Sequence, residues 1–282
     1  MLFTPEPVAF TIFGFDIRWY AILICAGMIS ATALGYKRAP RYGISSDDLL
    51  DIVLISIPAA IIGLRVWYVA FNLEHYHSFY DIINLRAGGL AIHGGLIFGM
   101  TAAFIMCRIK KISAFEIFDL AVPCIALGQA IGRWGNFFNQ EAYGTPTDLP
   151  WAINIDGINV HPTFLYESIW CLLLFIGLSL FSKHRKFSGQ IFCLYLIFYS
   201  LERFFVEQLR TDSLLAGSAK LTEKLFLSGL DPSDIPGVLH IGSFLIYPFR
   251  TAQFISFAAI ISALILYKIR SSHDREIKRE LN

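Results

Sequence analysis

Seven stretches of this chain are apolar for long enough to cross a bilayer, and that limits the fold more than any other feature. They run roughly 17–36, 49–71, 89–108, 114–131, 163–182, 188–207 and 245–268. About 20 apolar residues span the hydrocarbon core as a helix. In lipid every backbone polar group must find a partner within the protein, so runs of this length form helices. The chain is 55% hydrophobic over 282 residues and its mean hydropathy is +0.57. Soluble domains sit at about 45–50% apolar. The expected fold is an all-α polytopic membrane protein with seven transmembrane helices, forming a single integral membrane domain over 1–282.

The connections are uneven. The first fifteen residues hold two prolines and several aromatics, which suits a segment at the membrane interface. Two connections, about 145–162 and 211–244, are polar, turn-rich and too long for simple hairpins. The first contains Pro146, Pro150 and Gly157. The second contains Asp231-Pro232 and Pro236-Gly237 turn signals and room for a short helix over Leu221–Ser228. There is no internal repeat and no low-complexity tract.

Lysine and arginine set the orientation. Alternate span ends carry Lys37, Arg38 and Arg41, then Arg108, Lys110 and Lys111, then Lys183, Arg185 and Lys186, then Lys268, Arg270, Arg275, Lys278 and Arg279. These are fourteen of the 23 cations. With seven spans they all fall on one side, which is then cytoplasmic. The N-terminus is expected outside, the C-terminus inside, and both long connections outside. No basic stretch precedes a short apolar run, so no cleaved signal peptide is expected.

A net charge of +1 gives no reason to expect a nucleic-acid partner. Cys25, Cys107, Cys124, Cys171 and Cys193 lie in or at the edge of apolar segments. They read as small core residues, with no disulfide framework implied.

The unusual polar residues gather at one depth. Tyr20 stands at the outer end of the first span and Arg65 near the outer end of the second. His93 is about 6 Å inside the outer end of the third, at 1.5 Å per residue. The fourth span ends in Gly132-Arg133-Trp134-Gly135-Asn136-Phe137-Phe138-Asn139-Gln140-Glu141. His161, Tyr166 and Glu167 open the fifth span. Glu202, Arg203 and Glu207 close the sixth, and Arg250 and Gln253 open the seventh. An arginine at membrane depth costs at least ~2.5 kcal/mol on insertion scales, so Arg133 is a functional residue by default. A snorkelling anchor is the plainer reading, but an anchor has no use for Asn136, Asn139 and Glu141 beside it.

Tyr195, Tyr199, Arg203 and Glu207 are four apart and share one helix face, so Arg203 and Glu207 can pair. That pair could simply hold helices together. It also leaves the guanidinium able to fork two donors to a phosphate, and Arg133 with Arg203 would clamp an anion at headgroup height. His93 is flanked by Gly88, Gly89, Gly94 and Gly95, which would let a ligand reach the backbone. A neutral imidazole there could take a proton from a thiol or hydroxyl; a histidine bonded to a backbone carbonyl is the alternative. His161-Pro162 with Tyr166-Glu167 also suits an ordinary span entry, and Arg65 an ordinary structural arginine. His75 and His77 with Glu74 and Asp81 make no tight ligand pattern, so neither metal nor other cofactor is expected. HExxH, GxSxG, His-x4-Asp, P-loop and dinucleotide signatures are all absent.

These residues resemble a known family. GRWGNFFNQEAYG at 132–144 is similar to the signature of the bacterial phosphatidylglycerol–prolipoprotein diacylglyceryl transferases. Ile17-Arg18-Trp19-Tyr20, Gly63-Leu64-Arg65, His93-Gly94-Gly95-Leu96, His161-Pro162, Leu165-Tyr166-Glu167, Arg203 with Glu207, and Arg210-Thr211-Asp212-Ser213 extend the likeness over about 15–270. The resemblance implies transfer of a diacylglyceryl group from phosphatidylglycerol to the lipobox cysteine of a prolipoprotein signal peptide. A thioether forms and glycerol phosphate leaves. It implies a multi-pass protein of the bacterial plasma membrane with its site facing the outer leaflet. Arg133 and Arg203 would hold the phosphate, and His93 would be base or orienter. Tyr20, Arg65, Gly94, Gly95, Asn136, Asn139, Glu141, His161, Tyr199 and Glu207 would shape the site. The link from Ala216 to Tyr247 is longer than the family's usual one, and Phe71-Asn72 lacks the tyrosine some members carry there. The rival reading is a headgroup-binding transporter or scaffold without chemistry, which would more naturally show internal repeats and midplane polar groups. An intramembrane protease lacks its signatures.

Overall fold

The computed structural model describes residues 6–76, 78–85, 88–211, 239–241, 244–246 and 250–280. The chain opens with strands β1 (Val8–Ile12) and β2 (Phe15–Arg18) and enters helix α1 (Trp19–Arg38). Helices α2 (Ser46–Ala70), α3 (Phe79–Ile83), α4 (Ile92–Ile109) and α5 (Ala114–Asn139) follow. Strands β3 (Ile153–Ile155) and β4 (Ile158–Val160) precede α6 (Thr163–Phe181) and α7 (Gln190–Leu209). Strands β5 (Leu239–Ile241) and β6 (Phe244–Ile246) precede α8 (Thr251–Glu280).

Among the described residues six helices are long and apolar enough to cross a membrane: α1, α2, α4, α5, α6 and α8. Helix α7 has the length, but Glu202, Arg203 and Glu207 interrupt its apolar character.

The described residues form two compact units, Thr32–Ala121 and the remainder. In the first, α2 packs along α4. Ser45 caps α2 by accepting from the Asp47 amide at 3.3 Å. Gly63 and Gly94 let the two backbones meet. A Cβ on Gly94 would collide with the Gly63 carbonyl and the Trp67 side chain. Farther along, Ala39, Ile44, Leu49, Ile52, Cys107, Ile117 and Leu120 form a buried cluster. Lys110 ends α4 between Asp48 at 2.5 Å and Asp51 at 2.6 Å.

In the second unit α7 packs on α6 and α8. Val122, Ala126, Leu174, Leu178, Ile191 and Tyr195 make its core. Residues Gly27 of α1 and Gly128 of α5 meet backbone to backbone. The antiparallel hairpin of β3 and β4 pairs Ile153 with Val160 and turns through Asp156 and Gly157, both at positive φ. Such a two-residue turn matches the twist of its strands. Its Ile153, Ile155 and Val160 bury against Phe164 at the start of α6.

Several expectations need correction. The fourth helix does not stop at 131 but runs to Asn139. Side-chain polarity ends an apolar run without ending the backbone ladder, so Arg133, Asn136 and Asn139 lie within α5 rather than capping it. Residues 244–246 are strand, and the last helix starts at Thr251 rather than 245. It continues past the apolar run to Glu280. His93 is the second residue of α4, so it sits at the helix end rather than one turn inside. Among the described residues three short hairpins, one before α1 and two in the long connections, depart from an all-helical reading. His77, Asp212-Ser213, the turns at 231–232 and 236–237 and the helix expected over 221–228 lie outside the described residues, as does most of the 211–244 connection.

Candidate active site

Three helix ends build the site. Helix α5 delivers Arg133 from its C-terminal half, α6 delivers Glu167 from its first turns, and α7 delivers Arg203 and Glu207. Glu167 Oε1 accepts from Arg203 Nη1 at 2.5 Å and forms an ion pair with Arg133 Nη2 at 2.9 Å. Arg203 Nη2 reaches Glu207 Oε2 at 2.5 Å. The four groups make a chain of alternating charge. The carboxylate side chains are 1% and 5% exposed, while the two arginine side chains are 19% and 18% exposed. The anions are thus sealed in, while the arginine side chains are partly exposed. A buried ion pair is tolerated only when its geometry is good and further bonds satisfy it. Here each carboxylate is met by an arginine within hydrogen-bond reach.

Neighbouring contacts lock the helices at this register. Trp134 Nε1 donates to Ser168 Oγ at 3.1 Å, and Ser168 Oγ donates to the Ala130 carbonyl at 2.8 Å, tying α5 to α6. Phe137 stacks on Phe164 at 4.9 Å. Arg250 donates to the carbonyls of Glu207 and Arg210, and Gln253 to that of Phe204 at 3.1 Å, fixing the end of α7 to α8. Below the arginines, Tyr195 Oη donates to Gln129 Oε1 at 2.9 Å, and the Tyr195 and Tyr199 rings stack at 5.4 Å.

Beyond Arg133, Asn136 and Asn139 each donate an amide N–H to Glu141 Oε1, at 2.9 and 3.4 Å. Tyr20 lies against the backbone of α5. A Cβ on Gly135 would meet its ring at 2.8 Å, which explains a glycine there. The adjacent Trp19 stacks on Phe138 at 5.2 Å. The Gly144 amide donates to the His161 carbonyl at 2.9 Å. Trp151 Nε1 donates to Tyr166 Oη at 2.9 Å, and His161 Nδ1 lies 3.2 Å from the same hydroxyl. Partial burial pushes the His161 imidazole below its ordinary pKa, favouring the neutral ring.

The remaining expected site residues belong to the other unit. Arg65 is buried and spends its fork on main-chain oxygens. Nε donates to Ile82 at 2.7 Å, Nη1 to Gly88 and Gly89 at 2.6 and 2.9 Å, and Nη2 to Asp81 at 2.6 Å. Four of its five donors are committed, so it is a clasp on the 81–89 segment rather than a free anion receptor. Gly94 and Gly95 are buried against α2, so their small size serves helix packing rather than ligand access. His93 itself is exposed. The Asp81 carboxylate accepts from the Ser78 amide at 3.1 Å and closes a capping box on α3.

Sequence reasoning placed Glu167 at a span entry and missed its central position. The signal was available: it is the one charged residue in the apolar helix 163–181. The argument that singled out Arg133 applies to it equally.

Residues 7–269 match the family described as prolipoprotein diacylglyceryl transferase. The chain is 50% identical over 226 residues to the phosphatidylglycerol–prolipoprotein diacylglyceryl transferase of Clostridioides difficile, covering 80% of this chain and 91% of that one. It is 50% identical over 220 residues to the protein of that name from Finegoldia magna, covering 77% and 89%. It is 43% identical over 229 residues to that of Thermotoga maritima, covering 77% and 78%.

Proposed function

This chain belongs to the prolipoprotein diacylglyceryl transferase family, and from that premise we propose that it moves the diacylglyceryl group of phosphatidylglycerol onto a prolipoprotein cysteine. The acceptor is the thiol of the lipobox cysteine in the signal peptide. The thiol gives up its proton, sulfur attacks the glyceryl carbon that bears the phosphate ester, and the carbon–oxygen bond breaks. The products are a thioether and glycerol phosphate, which departs with the bonding electrons.

The observation that carries this reading is the convergence of Arg133 and Arg203 on one carboxylate oxygen of Glu167. Two adjacent guanidinium groups on partly exposed side chains suit a phosphate diester, and the charge that grows on the leaving oxygen is what such donors stabilise best. Tyr20, Tyr199, Glu207 and the amides of Asn136 and Asn139 with Glu141 shape the surrounding wall. His161 supports Tyr166. His93 is the proton acceptor or orients the thiol. Arg65 acts at one remove, by holding the carbonyls of the segment that leads into α4.

Helix α7 completes seven spans in one integral membrane domain. The boundaries between the two units, at Ala31 and Val122, fall inside helices rather than in a linker. The cation bias then sets the N-terminus outside and the C-terminus in the cytoplasm. The site faces the outer leaflet of the bacterial plasma membrane, where exported prolipoproteins arrive.

The test is reconstitution of the purified protein in vesicles with a lipobox peptide. With phosphatidylglycerol present, the peptide gains the mass of a diacylglyceryl group and glycerol phosphate appears in equal amount. Lipid binding without either product would leave a headgroup-binding scaffold instead.

A further inference from the structure

The last carbonyls of a helix have no partner within it, so something else must meet them. At the end of α7 two of the partners come from another helix. Arg250, just ahead of α8, donates Nη1 to the carbonyls of Glu207 and Arg210, which lie 43 and 40 residues earlier in the chain. Gln253 Nε2 donates to the Phe204 carbonyl at 3.1 Å. The Thr145 amide donates to the Leu209 carbonyl at 2.7 Å. Arg250 is 2% exposed and Gln253 is fully buried. A cation at this position also meets the negative end of the α7 dipole.

Gln253 holds Arg250 in turn. Its Oε1 accepts from the Arg250 amide at 2.9 Å, so one side chain caps α8 and bonds α7 at once. Both ends of the amide are committed, one accepting and one donating. An ionised glutamate could not do both.

Glu207 is gripped at two points. Its carbonyl accepts from Arg250, and its Oε2 lies 2.5 Å from Arg203 Nη2. Arg203 stands one turn earlier and also reaches Glu167 at 2.5 Å. A shift in the last turn of α7 therefore moves the carboxylate that aims one side of the Arg203 fork. A cap that merely completed the helix could come from water or from the chain just past Leu209. This one comes from buried side chains of a different helix and lands on the residue that pairs with Arg203.

We infer that Arg250 is a positioning residue for the reaction. It fixes the last turn of α7 and, through Glu207, the aim of the Arg203 guanidinium, while Gln253 fixes Arg250. The inference rests on the transferase reading above.

The experiment uses the full chain reconstituted with phosphatidylglycerol and a lipobox peptide, with turnover expressed per folded, monodisperse protein. Arg250→Met keeps much of the stem and removes the fork. Its kcat should fall roughly 10- to 100-fold, the scale for a catalytic group misplaced by about 1 Å, while KM for phosphatidylglycerol changes by less than about threefold. Arg250→Lys keeps a cation at the helix end and should recover part of the lost kcat. Glu207→Gln should also lower kcat, because it removes the ion pair with Arg203. The double variant decides the route: if Arg250 acts through Glu207, combining Arg250→Met with Glu207→Gln should leave kcat within about threefold of the slower single variant. Losses that multiply would overturn the inference. So would a native kcat in Arg250→Met, including one measured on a reduced yield of folded protein, which would make Arg250 a stability residue alone. If Arg250→Met does not assemble, Arg250→Lys takes its place in the cycle. Absence of thioether formation by the native protein overturns the transferase reading instead, so the two failures are distinct.

Discussion

Oε1 of Glu167 is shared between two arginines from different helices, Arg133 at 2.9 Å and Arg203 at 2.5 Å. One oxygen thereby fixes the spacing of two guanidinium forks whose Cα atoms belong to α5 and α7. Arg203 spends its other Nη on Glu207 at 2.5 Å. If the proposed clamp is right, two cations aimed by one anion make a receptor whose geometry is set before any lipid arrives.

Arg133→Lys keeps the charge and loses the planar fork. A single ammonium can hold Glu167 or a phosphate oxygen, but not both in fixed geometry. The expected result is a loss of ~100-fold or more in kcat/KM, with insertion into the membrane preserved. Near-native turnover of the lysine variant would remove the clamp from the mechanism.

Glu167→Ala should be worse than Glu167→Gln in stability as well as activity. Removing one partner of a buried charge network costs about 3–5 kcal/mol, because the others are left uncompensated. Thermal unfolding in detergent should show a large drop for the alanine variant and a smaller one for glutamine. Arg203→Ala should resemble Glu167→Ala, since it takes one of the two arginines from Glu167 and the i, i+4 ion pair from Glu207. Wild-type stability in Arg203→Ala would contradict the pairing.

His93 and Gly94 are neighbours in the first turn of α4. Gly94→Ala pushes a methyl into the Gly63 carbonyl, so it should lower the melting temperature and the yield of folded protein. His93→Gln should melt normally and turn over slowly at neutral pH. Part of its rate should return at higher pH or with a thiol of lower pKa, as expected if the histidine takes the thiol proton. Equal loss at every pH and with every thiol, with lipid binding retained, would reduce His93 to an orienting residue.

His161 gives the stability an acid limb. Its pKa in the folded protein lies below the ~6.5 of an unfolded histidine, because burial disfavours the charged ring. The unfolded chain therefore binds the proton more readily. The contribution is intact above about pH 6.5 and is lost as pH falls below that value toward the lowered folded pKa. His161→Gln should flatten the fall of melting temperature between neutral and mildly acid pH. An unchanged slope would show that the ring does not sense its surroundings in this way.

Labelling from outside with an impermeant thiol reagent tests the topology. With the five native cysteines removed, Asp148→Cys should react in intact cells and Arg41→Cys should not. The reverse pattern would turn the protein over. The cysteine-free parent should retain activity, because none of the five is needed as a nucleophile.

Much of the framework is legible in the chain itself. The seven apolar runs mark the long helices, since helix length and hydropathy are both local properties. The i, i+4 spacing of Arg203 and Glu207 is equally local, and they pair at 2.5 Å. What could not be read is the tertiary partner. Glu167 and Arg203 are 36 residues apart, and no periodicity connects them. Arg65 looks the same in sequence whether it faces a phosphate or four carbonyls. The glycines at 94 and 95 look alike whether they admit a ligand or a neighbouring helix. Glu202 was noticed among the polar residues closing its span, but its lack of a partner is a fact of packing alone.

The shared oxygen of Glu167 has a bearing on how the enzyme empties. A phosphate that enters between Arg133 and Arg203 does not fill a vacancy, for the arginines already hold an anion there. It competes with a carboxylate that cannot diffuse away. On the proposed reading, the hold on glycerol phosphate is therefore the difference between two attractions rather than the whole of one, and the same residue that aims the forks returns to them when the product goes.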